Sequence, residues 1–106
     1  MKTFNKLVRD RIPQIISDSG AHAEFRTLSD EEYRVFLEAK LDEEVWEYHR
    51  DQNLEELADI LEVVYALADA IGASRESLMD VYRTKHNQRG GFEKRLLLIA
   101  TKGAEE

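Results

Sequence analysis

One segment of this 106-residue chain, residues 54–71, constrains the fold more than any other. At helical spacing it is apolar around most of its circumference, and only Glu55, Glu62 and Asp69 form a continuous polar stripe. Such a helix is stable only when other helices cover most of its sides. In a chain this short, the cover must come from a multi-helix bundle or from a second subunit.

A second long helix precedes this segment, and the connection between the two is short. Ser29, followed three residues later by a glutamate, has the spacing of a capping box and predicts a helix over about 30–50. Asn53 can cap the 54–71 helix, with Glu56 three residues on. Because only residues 51–53 separate the helices, we expect them to pack antiparallel.

Shorter elements flank this helical pair. Pro13 in a first turn and a later Gly20 bound a short leading helix. Ser74 caps a last helix predicted over 75–88, segment 23–27 is expected to be extended, and segment 96–99 is expected to form a short strand or an extended arm. Three residues of the last helix are predicted to face inward: Leu78, Val81 and Tyr82. The sequence therefore predicts one all-α domain over residues 1–106, an antiparallel helical bundle with short extended N- and C-terminal segments.

Composition excludes several classes of protein. The 42% of hydrophobic residues suffice for a core, and the absence of cysteine rules out disulfides, cysteine-ligated zinc and thiol catalysis. A formal net charge of −7 argues against a nucleic-acid partner, because phosphate contacts need Lys and Arg. No stretch approaches a membrane span of about 20 residues, and no leading apolar run resembles a signal peptide. We therefore expect a cytoplasmic protein with no membrane partner.

The charges are unevenly distributed along the chain. Residues 38–62 hold ten acids and two bases, whereas residues 83–95 hold five bases and one acid. The first eleven residues hold four bases and one acid. An acidic middle is thus flanked by two basic segments.

Two pairs of carboxylates on the central helices carry the candidate chemistry. Glu44 and Glu47 are three residues apart, as are Glu56 and Asp59, so each pair shares a helix face. Glu44 lies within the apolar stripe of its helix, where a carboxylate points to the core. Four converging carboxylates need cations, and oxygen ligands without His or Cys favour Mg²⁺ or Mn²⁺. Two alternatives stay open: solvated acidic faces, and a capping role for Glu56.

These motifs resemble the all-α nucleoside triphosphate pyrophosphohydrolase superfamily, which includes MazG-type proteins. Its signature of E-x-x-E on one helix and E-x-x-D on the next matches residues 44–47 and 56–59. Residues 6–13 and 89–95 resemble a small MazG-like subgroup, the phosphoribosyl-ATP pyrophosphohydrolase-like proteins. One departure is that only eight residues separate Glu47 from Glu56, fewer than in typical MazG proteins.

The resemblance implies cleavage of a nucleoside triphosphate between its α- and β-phosphates, releasing the monophosphate and pyrophosphate. It implies that Glu44, Glu47, Glu56 and Asp59 hold Mg²⁺, with Mn²⁺ as an alternative. Glu43 is the candidate to orient or deprotonate water, although it could equally face solvent. Five cations are available to bind the phosphates: Lys6, Arg9, Arg11, Lys85 and Arg89.

The sequence is also consistent with two other functions. The chain could be a non-catalytic helical dimer that binds nucleotides or a protein partner, or an enzyme fold that has lost turnover. In either case the apolar 54–71 helix predicts a homodimer or a dimer of dimers. The residues expected to meet the second copy are Ile60, Val64, Leu67 and Ile71.

Overall fold

The computed structural model describes residues 4–103, and regular secondary structure in that range is entirely α-helical. The four helices are α1 (Ile12–Asp18), α2 (Asp30–Asp51), α3 (Leu54–Ala70) and α4 (Arg75–Arg89). The expected all-α class is confirmed. Segments 23–27 and 96–99 contain neither helix nor strand, so the strand considered for residues 96–99 does not form.

The predicted capping box fixes the start of α2. The Glu32 N–H donates to Ser29 Oγ at 3.2 Å, and the Ser29 N–H donates to Glu32 Oε1 at 3.1 Å. Arg26 donates a hydrogen bond to Glu32 Oε2 at 2.9 Å, and together with the Ser29 N–H it lowers the pKa of Glu32 to about 2. At the other end, Gln52 adopts the left-handed conformation and turns the chain into α3.

α2 and α3 pack against each other and provide most of the core. Only two residues join them, and the first turn of α3 is capped by Asn53 Oδ1, which accepts from the Glu56 N–H at 2.9 Å. Within the described range, the buried apolar residues are Leu37 from α2 and Val63 and Ala68 from α3. The packing of α2 against α3 brings the candidate carboxylates together.

α4 packs against α3 but not against α2. The guanidinium of Arg75 lies 3.9 Å from the centre of the Tyr65 ring, near the turn between the two helices. All residues from 80 to 89 are exposed, so the remainder of α4 leaves the body of the chain. The expectation that Val81 and Tyr82 face inward is therefore wrong for the single chain, and only Leu78 is half-buried as predicted.

The chain is open for its size. Its radius of gyration is 18.7 Å, whereas a compact domain of this length would have about 13 Å. Its accessible surface is 9811 Å², compared with about 6,100 Å² for a compact monomer of this mass. α1 packs against no other helix in residues 4–103, and none of the four helices is long and apolar enough to cross a bilayer.

Candidate metal centre

The carboxylates predicted from the two motifs lie together between α2 and α3. One group consists of Glu43, Glu44 and Glu47, and a second of Glu44, Glu56 and Asp59. Within each group, one oxygen from each residue lies within 4.8 Å of the others. We call these five residues the carboxylate cluster, and Glu44 belongs to both groups.

Glu44 is the most unusual of the five, because it is only 6% exposed. The hydrophobic phase of α2 places it on the same side as the buried Leu37, as the sequence predicted. Burial raises the pKa of Glu44; the Lys40 charge opposes the rise, while the charges of Glu47 and Asp59 add to it. A buried carboxylate with acidic neighbours indicates a site that attracts a cation.

Glu56, on α3, also has a raised pKa. Burial raises its pKa, and the charges of Glu47 and Asp59 raise it further. Its Oε2 atom is buried without a hydrogen-bond partner in the described structure. The Glu56 backbone N–H is capped by Asn53, but the reciprocal side-chain bond of a capping box is not made. The capping alternative therefore does not account for the Glu56 carboxylate.

Lys40 is a member of the site that the sequence analysis did not identify. Its Nζ lies 3.4 Å from Glu43 Oε1 and 3.5 Å from Glu44 Oε2, and its side chain is 17% exposed. Burying an ammonium group is costly unless it is paired. The available signal was a lysine within the apolar stripe of α2, three and four residues before two glutamates.

The segment before α1 supplies two more cations. Arg9 donates to Asp59 Oδ1 at 3.1 Å and to Glu62 Oε1 at 3.2 Å. Lys6 Nζ lies 3.7 Å from Glu43 Oε2. Both residues were predicted as phosphate ligands, and both lie at the edge of the carboxylate cluster.

The other three predicted cations are not brought to the carboxylate cluster. Arg11 is exposed at the start of α1, and Lys85 and Arg89 are exposed on the part of α4 that leaves the body. Their side chains make no ion pair with a described residue of the same chain. Within one chain, therefore, Lys6 and Arg9 are the predicted cations that reach the site.

The residues present fit a hard divalent cation. All five members of the cluster offer carboxylate oxygens, the donors that Mg²⁺ and Mn²⁺ prefer, and no histidine belongs to either group. The unpartnered Oε2 of Glu56 provides an oxygen that a cation would satisfy. Because Glu44 belongs to both groups, it would be a ligand of a cation held by either one.

The raised pKa values of Glu44 and Glu56 predict an unusual pH dependence of stability. In the window between the usual glutamate pKa and the raised values, the folded chain binds more protons than the unfolded chain, so stability rises as the pH falls. Below about pH 4.5 the lowered pKa of Glu32 reverses the trend, because its ion pair with Arg26 is lost.

In EDTA, we therefore expect the melting temperature to be highest at mildly acidic pH and lower at neutral pH. Mg²⁺ should raise the melting temperature more at neutral pH than at about pH 5, since the ligands must be deprotonated to bind. Differential scanning fluorimetry across this range, with and without Mg²⁺, measures both effects. A melting temperature in EDTA that rises steadily from acidic to neutral pH would contradict the burial of these carboxylates.

Part of the chain is similar in sequence to a known protein. A protein of Mycolicibacterium smegmatis described as uncharacterized is 62% identical over 42 residues. That match covers 40% of this chain and 43% of the other protein. No model of a protein family and no solved structure matches the chain.

Proposed function

We propose that the chain is a Mg²⁺-dependent nucleoside triphosphate pyrophosphohydrolase with an antiparallel bundle of the MazG-like type. The observation that carries this proposal is the buried Glu44, shared by two carboxylate groups on α2 and α3. Those groups include all four acids of the E-x-x-E and E-x-x-D motifs by which the sequence resembles the superfamily. The reaction would hydrolyse the α–β phosphoanhydride and release a nucleoside monophosphate and pyrophosphate.

Glu44, Glu47, Glu56 and Asp59 are the residues that would hold Mg²⁺. When bound, Mg²⁺ supplies charge neutralisation at phosphate oxygens and acidifies water. With a cation in the cluster, the buried Oε2 of Glu56 would gain a partner, and the repulsion that adds to the effect of burial on the pKa of Glu44 would be offset. Because the protein is acidic, the triphosphate would enter as its magnesium complex.

Glu43 is the carboxylate that we assign to proton transfer. Lys40 and Lys6 lie against its two oxygens, at 3.4 Å and 3.7 Å, and so restrict its orientation. A fixed carboxylate at the edge of the cluster can accept the proton of a water molecule that attacks the phosphate. Since Glu43 also lies within 4.8 Å of Glu44 and Glu47, its role as a base depends on the other four acids holding the cation.

Arg9 and Lys6 are the cations best positioned to contact phosphate. The Arg9 guanidinium is 59% exposed although it contacts both Asp59 and Glu62, so it can turn towards a ligand at small cost. Its planar fork suits phosphate oxygens. Arg11, Lys85 and Arg89 remain predicted phosphate ligands that a single chain does not bring to the cluster.

Two or more copies are part of the proposal. The excess of exposed surface over a compact monomer, about 3,700 Å², is far larger than the roughly 800 Å² that each partner buries in a typical interface. Of the residues predicted to meet a second copy, Ile71 is exposed, whereas Ile60, Val64 and Leu67 are half-buried by the chain itself. The most exposed leucines of α3 are instead Leu54, Leu57 and Leu61. A homodimer or a dimer of dimers in the cytoplasm remains our prediction.

One observation favours the alternative of a non-catalytic dimer that binds nucleotides or a protein partner. Lys6, Arg9 and Lys40 already place three cationic groups against the carboxylates. Such pairing can hold an acidic cluster together without a metal ion. The two functions differ in turnover, which only the enzyme has.

Incubation with a panel of canonical and modified nucleoside triphosphates tests the proposal. We expect at least one member to yield equal amounts of monophosphate and pyrophosphate with Mg²⁺, and none to react in EDTA. Product identity by ³¹P NMR separates this reaction from release of inorganic phosphate. Absence of turnover across the panel, together with measurable nucleotide binding, would favour the non-catalytic alternative.

A further inference from the structure

An apolar segment follows α4, and no part of the described structure covers it. We call residues 92–99 the C-terminal arm. It contains neither helix nor strand. Its five large apolar residues are 79–96% exposed: Phe92, Leu96, Leu97, Leu98 and Ile99. Four consecutive exposed apolar residues are an unfavourable surface unless another surface covers them.

A second uncovered apolar surface lies on the first half of α3. Leu54, Leu57 and Leu61 are spaced by three and four residues, so they share one face of the helix. They are 80%, 44% and 48% exposed. We call these three leucines the α3 patch. α2 covers a different side of α3, on which Val63 is buried.

The course of α4 separates the arm from the α3 patch of its own chain. α4 meets α3 near the 71–74 turn, where the Ala73 N–H donates to the Ala68 carbonyl at 2.9 Å. From residue 80 onward every side chain of α4 is exposed. The arm follows this projecting part of α4, and its residues remain exposed rather than returning to α3.

Charge favours contact between the arm and the region around the α3 patch. Within the arm, Lys94 and Arg95 stand against a single acid, Glu93. On the stretch of α3 that contains the patch, Glu55 and Glu62 are exposed acids, and residues 54–62 include no base. The two surfaces are therefore complementary in both apolar character and charge.

We propose that the C-terminal arm of one copy docks on the α3 patch of a second copy. Exchange of the two arms across a two-fold axis would cover both arms and both patches. The open shape of the chain supplies ample surface for this contact. The inference rests on the two-copy assembly proposed above but not on catalysis, so it can fail while the assembly and the enzyme stand.

Engineered cysteines test this contact directly, because the chain contains no cysteine of its own. Leu57→Cys and Leu98→Cys are made as separate full-length variants, mixed and oxidised. A disulfide needs its two Cα atoms within about 7 Å of each other. The matched control replaces Leu57→Cys with Asp69→Cys, an exposed residue of the same helix that lies about 18 Å further along its axis.

We expect a disulfide-linked species of twice the chain mass from the Leu57→Cys and Leu98→Cys mixture, and little from the control mixture. We also expect Leu98→Asp, measured by sedimentation, to weaken self-association by about tenfold or more. Three results would overturn the inference. They are a dimer without the 57–98 crosslink, equal crosslinking in the control mixture, and dominant pairing of Leu98→Cys with itself.

Discussion

Replacing Glu44 with glutamine is expected to lower pyrophosphate release by orders of magnitude. Glutamine keeps the shape of the side chain but removes a charge from both carboxylate groups. The substitution should leave the metal-free melting temperature unchanged or raise it, since it relieves the repulsion that contributes to the raised pKa of Glu44. Activity and melting temperature in EDTA are measured on the same preparation.

Glu38→Gln is the matched control, because Glu38 is an exposed glutamate of the same helix and lies outside the cluster. It should retain activity within a few-fold of the parent. If Glu44 were instead only the structural partner of Lys40, breaking the pair would destabilise the fold by roughly 3–5 kcal/mol. A strongly destabilised Glu44→Gln variant that still releases pyrophosphate would contradict the assignment.

The contrast between Asp59 and Glu62 separates metal binding from ion pairing. Both carboxylates accept a hydrogen bond from Arg9, at 3.1 Å and 3.2 Å, but only Asp59 belongs to the carboxylate cluster. We expect Asp59→Asn to lose activity to the same extent as Glu44→Gln. Glu62→Gln should change it only a few-fold, since an exposed ion pair contributes about 1 kcal/mol or less.

Steady-state kinetics at saturating Mg²⁺ compare these two variants, with circular dichroism as the check on folding. Equal loss of activity in both would mean that the contacts of Arg9, rather than a bound cation, explain the importance of Asp59. Equal retention would remove Asp59 from the site.

Local signals in the sequence are sufficient to predict the helices and the cluster. The Ser29, Asn53 and Ser74 caps each form as expected, because a cap depends only on neighbouring residues. Glu44 lies on the apolar face of α2, so any helix that packs against that face buries it. Short-range patterns thus define the elements and the faces they turn towards each other.

Features that depend on tertiary placement were not predictable from these patterns. The spacing of Val81 and Tyr82 shows that α4 is amphipathic, but it does not show which surface covers the apolar face. In the single chain, no described residue buries these two side chains. Lys40 differs from these, because its place in the apolar stripe of α2, three and four residues before Glu43 and Glu44, is a local signal that agrees with its distances to both glutamates. Lys85 and Arg89 were grouped with the site by their charge, and both are exposed on a helix that does not pack against α2.

Binding of Mn²⁺, followed by electron paramagnetic resonance of the free ion, tests the central claim most directly. Mn²⁺ takes the same oxygen ligands as Mg²⁺ and reports on the site without requiring the correct nucleotide. The account predicts that the parent chain and Glu55→Gln, an exposed neighbour, deplete free Mn²⁺ alike, whereas Glu56→Gln does so far less. A parent chain that leaves Mn²⁺ free, or equal binding by Glu56→Gln, would contradict it.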